Sequence, residues 1–167
     1  AASNIVAAQV RVADRPVYVF TTRWTPSPHA NQDDLRGLVD RYAADDLSGG
    51  ELIGLMREAV EGSDRRLREA HDTLVYINEL AGKEPVILMG SFHALPDSEE
   101  IQLLTDAGFV DVWQVAGRGS GATWDPAGNA NIRTYDLSPS ETPERIDYIF
   151  IRGEDIVARS VRLVFNR

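Results

Sequence analysis

The sequence contains no cysteine. That excludes disulfides, thiolate metal sites and a cysteine nucleophile, and leaves the compartment open. Lysine is almost missing as well: of 17 Lys and Arg residues only Lys83 is lysine, an arginine bias that reads as compositional. Positive charge as a whole is short. The formal net charge of -9 argues against a general electrostatic grip on nucleic acid, which wants a basic face. An acidic protein can still cleave a phosphoester if metal ions supply positive charge locally. No apolar run approaches the roughly 20 residues a membrane helix needs. The start has no charged-then-apolar stretch that reads as a signal peptide, and the two together favour a soluble, cytoplasmic protein. Internal repeats, low-complexity segments and domain linkers are also absent. What remains is ordinary: 43% hydrophobic and 26% charged residues over 167 positions describe one globular domain or part of one.

The chain is organised around the stretch from Pro85 to Ser98. Val86 to Met89 is an unbroken apolar run between a proline and a glycine, and reads as a buried strand. Gly90 would let the chain turn sharply and approach a ligand closely. Ser91 and His93 then sit at the strand's carboxyl end, where open α/β sheets place their ligand crevices. Asp97 with Glu100 has the spacing of a capping box for a following helix.

Upstream, Asn4 to Val12 and Pro16 to Thr22 read as a hairpin turning at Ala13-Asp14-Arg15. The stretch from Arg23 to Gln32, with Pro26, Ser27 and Pro28, reads as a loop. A helix starts at Asp33-Asp34 and breaks at Ser48-Gly49-Gly50. A second short helix ends near Gly62. Ser63 is an N-cap for a third and longest helix, closed by Gly82. Downstream, Ser98 to Asp106 reads as a short helix and Phe109 to Gln114 as a strand. Val115 to Asn131 is a long loop, of a length that is often functional. Ile132 to Leu137, Arg145 to Ile151 and Ile156 to Phe165 read as further strands.

Several of these motifs resemble the endonuclease/exonuclease/phosphatase superfamily. Gly90-Ser91-Phe92-His93 is similar to its Gly-Asp-Phe-Asn strand end, with Ser91 for the Asp and His93 for the Asn. Arg145-Ile146-Asp147-Tyr148 matches a later strand of the family. Val17 to Trp24 resembles a strand ending in Thr-His-Leu, with Arg23 in the place of His. Arg68 to His71 resembles an Arg-x-x-Gln helix start, and Gly121 to Trp124 a threonine-aromatic strand. The resemblance implies a partial α/β sandwich with a mixed, mainly antiparallel sheet and flanking helices. Residues 1–167 would form a single domain, the carboxyl-terminal part of the fold, with 33–62 as a helical insertion. The family's amino-terminal metal-binding Glu and its closing Ser-Asp-His have no counterpart here.

In the family, magnesium or manganese polarises a phosphoryl oxygen, and a carboxylate positions the attacking water. Ser91 cannot do that carboxylate's work, because a hydroxyl is neither a base near neutral pH nor a strong ligand for a hard cation. As a nucleophile it would need an adjacent base, and His93 is the neighbour to consider. The plain reading is a small polar residue ending a strand. His93 can act as acid, base or ligand, or as a hydrogen-bonded structural residue. Arg23 suits a phosphate or carboxylate, or a surface ion pair. Asp147 keeps a catalytic position of the family, or pairs with Arg145 or a backbone amide. Trp124 suits ligand stacking or packing, and Arg145 suits substrate contact. His29, in a proline-rich loop, and His71, expected beside an apolar helix face, are weaker candidates, and three scattered histidines make no zinc site.

The expectation is therefore a pseudoenzyme: an ancestral metal-dependent phosphoester hydrolase with activity lost or impaired, weak or no metal binding, and a phosphate-containing ligand as a candidate partner. Two alternatives stand beside it. One is an active phosphodiesterase or phosphatase once missing segments are supplied. The other is an interaction module, pairing with a missing half-domain or with itself through a bare apolar sheet face. Deliberate silencing by substitution is a further explanation for Ser91.

Overall fold

The computed structural model describes residues 4–126, 128 and 142–164. Two nine-residue strands, β1 (Asn4–Val12) and β2 (Arg15–Arg23), form an antiparallel hairpin. Ala13 and Asp14 turn it with φ of 48° and 64°, the left-handed pair that matches the twist of a tight hairpin. Helices α1 (Gln32–Ala43) and α2 (Gly49–Ala81) carry the chain to β3 (Val86–Ser91), which pairs with β2 in parallel. Helix α3 (Glu99–Asp106), the two-residue β4 (Val110–Asp111) and the short α4 (Val112–Ala116) follow. Strand β5 (Asp147–Arg152) inserts between β3 and β4, antiparallel to both. The sheet order is β1-β2-β3-β5-β4. The mixed, mainly antiparallel sheet with flanking helices is the expected fold class.

The two faces of the sheet differ. On one, Phe20, Leu88 and Phe150 lie in a single row and are fully buried. They pack with Ala70, Leu74 and Ile77 of α2, Ile101 and Leu104 of α3, and the rings of Trp24 and Phe92. The other face carries the row Val6, Thr21, Met89 and Ile149. There Val6 is 64% and Ile149 42% exposed.

Several local expectations need correction. The long helix does not break at Gly62: α2 runs unbroken for 33 residues from a capping box of Ser48 and Glu51. Glycine inside a helix costs about 1 kcal/mol, but at Gly62 a Cβ would collide with the Ser27 side chain. Ser63 caps nothing; its hydroxyl donates to Glu100 Oε1 at 3.1 Å. Gly90 does not turn the chain but stays in β3 with φ 148°. A side chain there would strike the Thr22 carbonyl of β2. Helix α3 is capped by Ser98 and not by Asp97, and Glu100 turns inward to Arg66. The strand expected over Phe109 to Gln114 shrinks to β4, because Asp111 caps α4 by accepting from the Trp113 amide at 2.9 Å. Residues 156–164 form no strand. The strand expected at Ile132 to Leu137 lies outside the described residues.

Candidate active site

Register alone assembles the centre of the site. Ser91 ends β3, with Arg23 of β2 as its partner on one side and Asp147 of β5 on the other. Adjacent residues in a sheet point to the same face, so all three side chains stand on the open face, two residues beyond the Thr21–Met89–Ile149 row. Backbone bonds hold this end together: the Trp24 amide donates to the Ser91 carbonyl at 2.9 Å, and the Phe92 amide to that of Ile146 at 2.8 Å.

After Ser91 the chain leaves the sheet. Phe92 and Ala94 are buried, and between them His93 takes a left-handed φ of 47°. That turn swings the imidazole back, with Nε2 3.3 Å from Ser91 Oγ. Burial is the largest influence on His93 and pulls its pKa below the usual value near 6.5; the Arg23 guanidinium acts the same way, and Asp147 opposes them. At neutral pH the ring is uncharged. Ser91 and His93 are brought together by the left-handed backbone at His93 and not by strand alternation.

Three further contacts were not foreseen. Thr123 Oγ1 accepts from the amides of both Ile146 and Asp147, at 3.2 and 3.1 Å, and so sets the start of β5. Glu144 pairs through its backbone with Trp124 and through its carboxylate with His29 Nε2 at 3.2 Å. Glu69 of α2 accepts from the amide and hydroxyl of Thr25 at 2.7 and 2.8 Å, which fixes the loop after β2. Only the threonine-aromatic pair at Thr123-Trp124 carried a signal in the sequence.

An open cleft of about 750 Å³ lies between α1, the loop after β2 and the Trp124–Glu144 bridge, and His93 lines it. Its apolar walls include Pro26, Pro28, Leu38, Trp124 and Ile146, and Asp33, Asp34 and Glu144 bring carboxylates. Trp124 and His93 line the same cavity. Arg145, expected to contact a substrate, is already engaged by the protein. It is buried, donates to Asp111 Oδ2 at 2.6 Å, and lies 4.5 Å from the centre of the Tyr148 ring. The Asp147–Arg145 pair is therefore corrected to Asp111–Arg145, and the Asp147 carboxylate is exposed. His71 is exposed beside Asp72 and not packed on an apolar face.

The donor set does not fit a hard divalent cation. Such an ion takes several oxygen ligands, carboxylates foremost. At this strand end one carboxylate, Asp147, stands with a hydroxyl, an imidazole and a guanidinium. No group of three or more His, Asp or Glu residues is placed to hold a metal among the described residues.

A family model described as "Endonuclease/Exonuclease/phosphatase family" matches residues 10–166. No curated protein matches the chain. Among solved structures, a β-hairpin deletion mutant of beta toxin from Staphylococcus aureus aligns with TM-score 0.59 and 17% identity, over 99% of this chain and 51% of that one. SmcL aligns with TM-score 0.58 and 16% identity, over 90% and 43%. D. rerio TDP2 complexed with single strand DNA product aligns with TM-score 0.56 and 20% identity, over 91% and 47%. The chain thus spans about half the length of the structures it matches, and at these identities the likeness is one of fold. With the family model covering nearly its whole length, the chain belongs to the endonuclease/exonuclease/phosphatase family.

Proposed function

We propose that this domain is a divergent member of its family in which metal-dependent phosphoester hydrolysis is lost or severely impaired, and which keeps a pocket for a phosphate-containing ligand. The observation that carries the reading is the row Arg23, Ser91 and Asp147. Where metal and water would need several carboxylates, it offers one, beside a hydroxyl and a cation. In-line attack on a phosphodiester requires neutralised charge and a positioned water, and this set supplies little of either. Arg23 retains the means to hold a phosphate oxygen. The expected outcome is no turnover of bis-p-nitrophenyl phosphate or plasmid DNA with magnesium or manganese above a buffer control. Metal-dependent turnover that follows the protein through several columns would overturn it.

A second reading concerns assembly, and the open sheet face favours it. Residues 1–167 are then the carboxyl-terminal part of a larger domain, with 33–62 as a helical insertion, and the bare face receives the family's other half. Hydrolysis could return when that half is supplied. Co-expression with the flanking coding sequence, followed by co-purification, tests it.

A further inference from the structure

We propose that Ser91 and His93 form a nucleophile–base pair that cleaves uncharged carboxylic esters without a metal, with the apolar part of the ester lying in the cavity beside them. The reading is independent of the phosphoester proposal, since it concerns a different substrate and no cation.

Three observations converge. Ser91 Oγ and His93 Nε2 are 3.3 Å apart, just outside the reach of a formed nucleophile–base hydrogen bond and in the range of unliganded sites. The contact exists only because His93 adopts φ 47°. A left-handed non-glycine residue is strained and persists where its surroundings over-determine it; here the buried Phe92 and Ala94 flank it. Third, the imidazole is uncharged at neutral pH and so free to take a proton. The charged and titratable groups acting on it are Arg23 of β2, Asp147 of β5, Arg66 of α2 and His29 of the loop after β2.

The cavity suits the apolar part of an ester. Leu38, Trp124 and Ile146 offer apolar surface, beside the carboxylates of Asp33, Asp34 and Glu144 and the guanidinium of Arg41. An ester with an aliphatic acyl group fits that apolar surface. Arg23, in register with Ser91, supplies positive charge for the oxyanion that forms on attack.

The step balances. With Nε2 unprotonated, His93 takes the Ser91 hydroxyl proton as Oγ bonds to the carbonyl carbon. The tetrahedral adduct collapses, the bond from carbonyl carbon to alcohol oxygen breaks, and His93 returns the proton to the departing alcohol. Water then repeats the sequence on the acyl-serine, with His93 again taking and giving back one proton.

The test uses the full chain and p-nitrophenyl butyrate in excess EDTA. Hydrolysis above background is expected, with kcat/KM rising with pH through a limb centred below the usual histidine value near 6.5. Ser91→Ala and His93→Gln should each lower kcat/KM by about 100-fold or more. Phenylmethylsulfonyl fluoride should leave a single covalent adduct that peptide mapping places on Ser91, and His93→Gln should slow its formation comparably. Hydrolysis unchanged in Ser91→Ala, or no adduct on Ser91 of the unsubstituted chain, overturns the proposal. The adduct measurement decides the matter even if Ser91→Ala fails to fold.

Discussion

At the scale of single residues, Thr22 and His93 make opposite kinds of prediction. Thr22 lies on the helix-covered face, 4% exposed, and its hydroxyl has no hydrogen-bond partner among the described residues. A buried unsatisfied polar group costs about 1–3 kcal/mol, and valine has nearly the same shape. Thr22→Val is therefore expected to raise stability by about 1 kcal/mol, read as a higher urea midpoint with unchanged m-value. His93 concerns pH. Its folded pKa lies below the unfolded value, mainly through burial. The unfolded chain thus gains a proton first as pH falls, and stability drops from about pH 7 downward until the folded ring also protonates. Melting temperatures between pH 7.5 and 5 should fall less steeply in His93→Gln than in the unsubstituted chain. The residues of this site were legible where neighbours in sequence or strand ends sufficed, as with Arg23, Ser91, His93 and Asp147. The His29–Glu144 pair joins positions 115 apart, and nothing local in either segment announces the other.

At the scale of elements, one buried ion pair ties three of them together. Arg66 of α2, 1% exposed, donates from Nε to Glu100 of α3 at 3.2 Å, and its guanidinium also bonds the carbonyl and hydroxyl of Ser27 in the loop after β2. Removing one member of such a pair leaves an uncompensated charge, which costs about 3–5 kcal/mol. Glu100→Ala is expected to lose about 3 kcal/mol by denaturant melts. The double variant Arg66→Met, Glu100→Leu should be markedly less damaged than the single one. If both lose the same amount, the pair is not the source. The same junction explains the main misreading of the sequence. Periodicity marked the helices, but Gly62-Ser63 looked like a stop followed by a cap. Both residues answer instead to distant partners, Ser27 and Glu100. Likewise Asp111 spends its carboxylate on a helix cap and on Arg145, which a strand pattern in Phe109 to Gln114 could not reveal.

At the scale of the whole molecule, helices cover one face of the sheet; on the other, among the described residues, Val17 and Ile151 are buried while Val6, Val10 and Ile149 stay exposed. β1, β2, β3 and β5 were readable as strands, β3 from an unbroken apolar run and β1 and β2 from β-branched and aromatic residues. The degree to which Val6, Val10 and Ile149 stay exposed, at 64%, 41% and 42%, depends on what is not packed against them. Replacing these three residues with threonine should reduce binding of a hydrophobic dye and any concentration-dependent sedimentation, with the circular dichroism spectrum unchanged. Equal dye binding in both proteins would count against this face as an adhesive surface. The two flanks of the sheet are also unequal. One is the nine-residue β1, the other the two-residue β4. Among the described residues only the first is long enough to template another strand. Among the described residues edge-on recruitment is therefore limited to one edge per chain, β1 against β1 about a twofold axis, which ends at a pair instead of growing into a fibril.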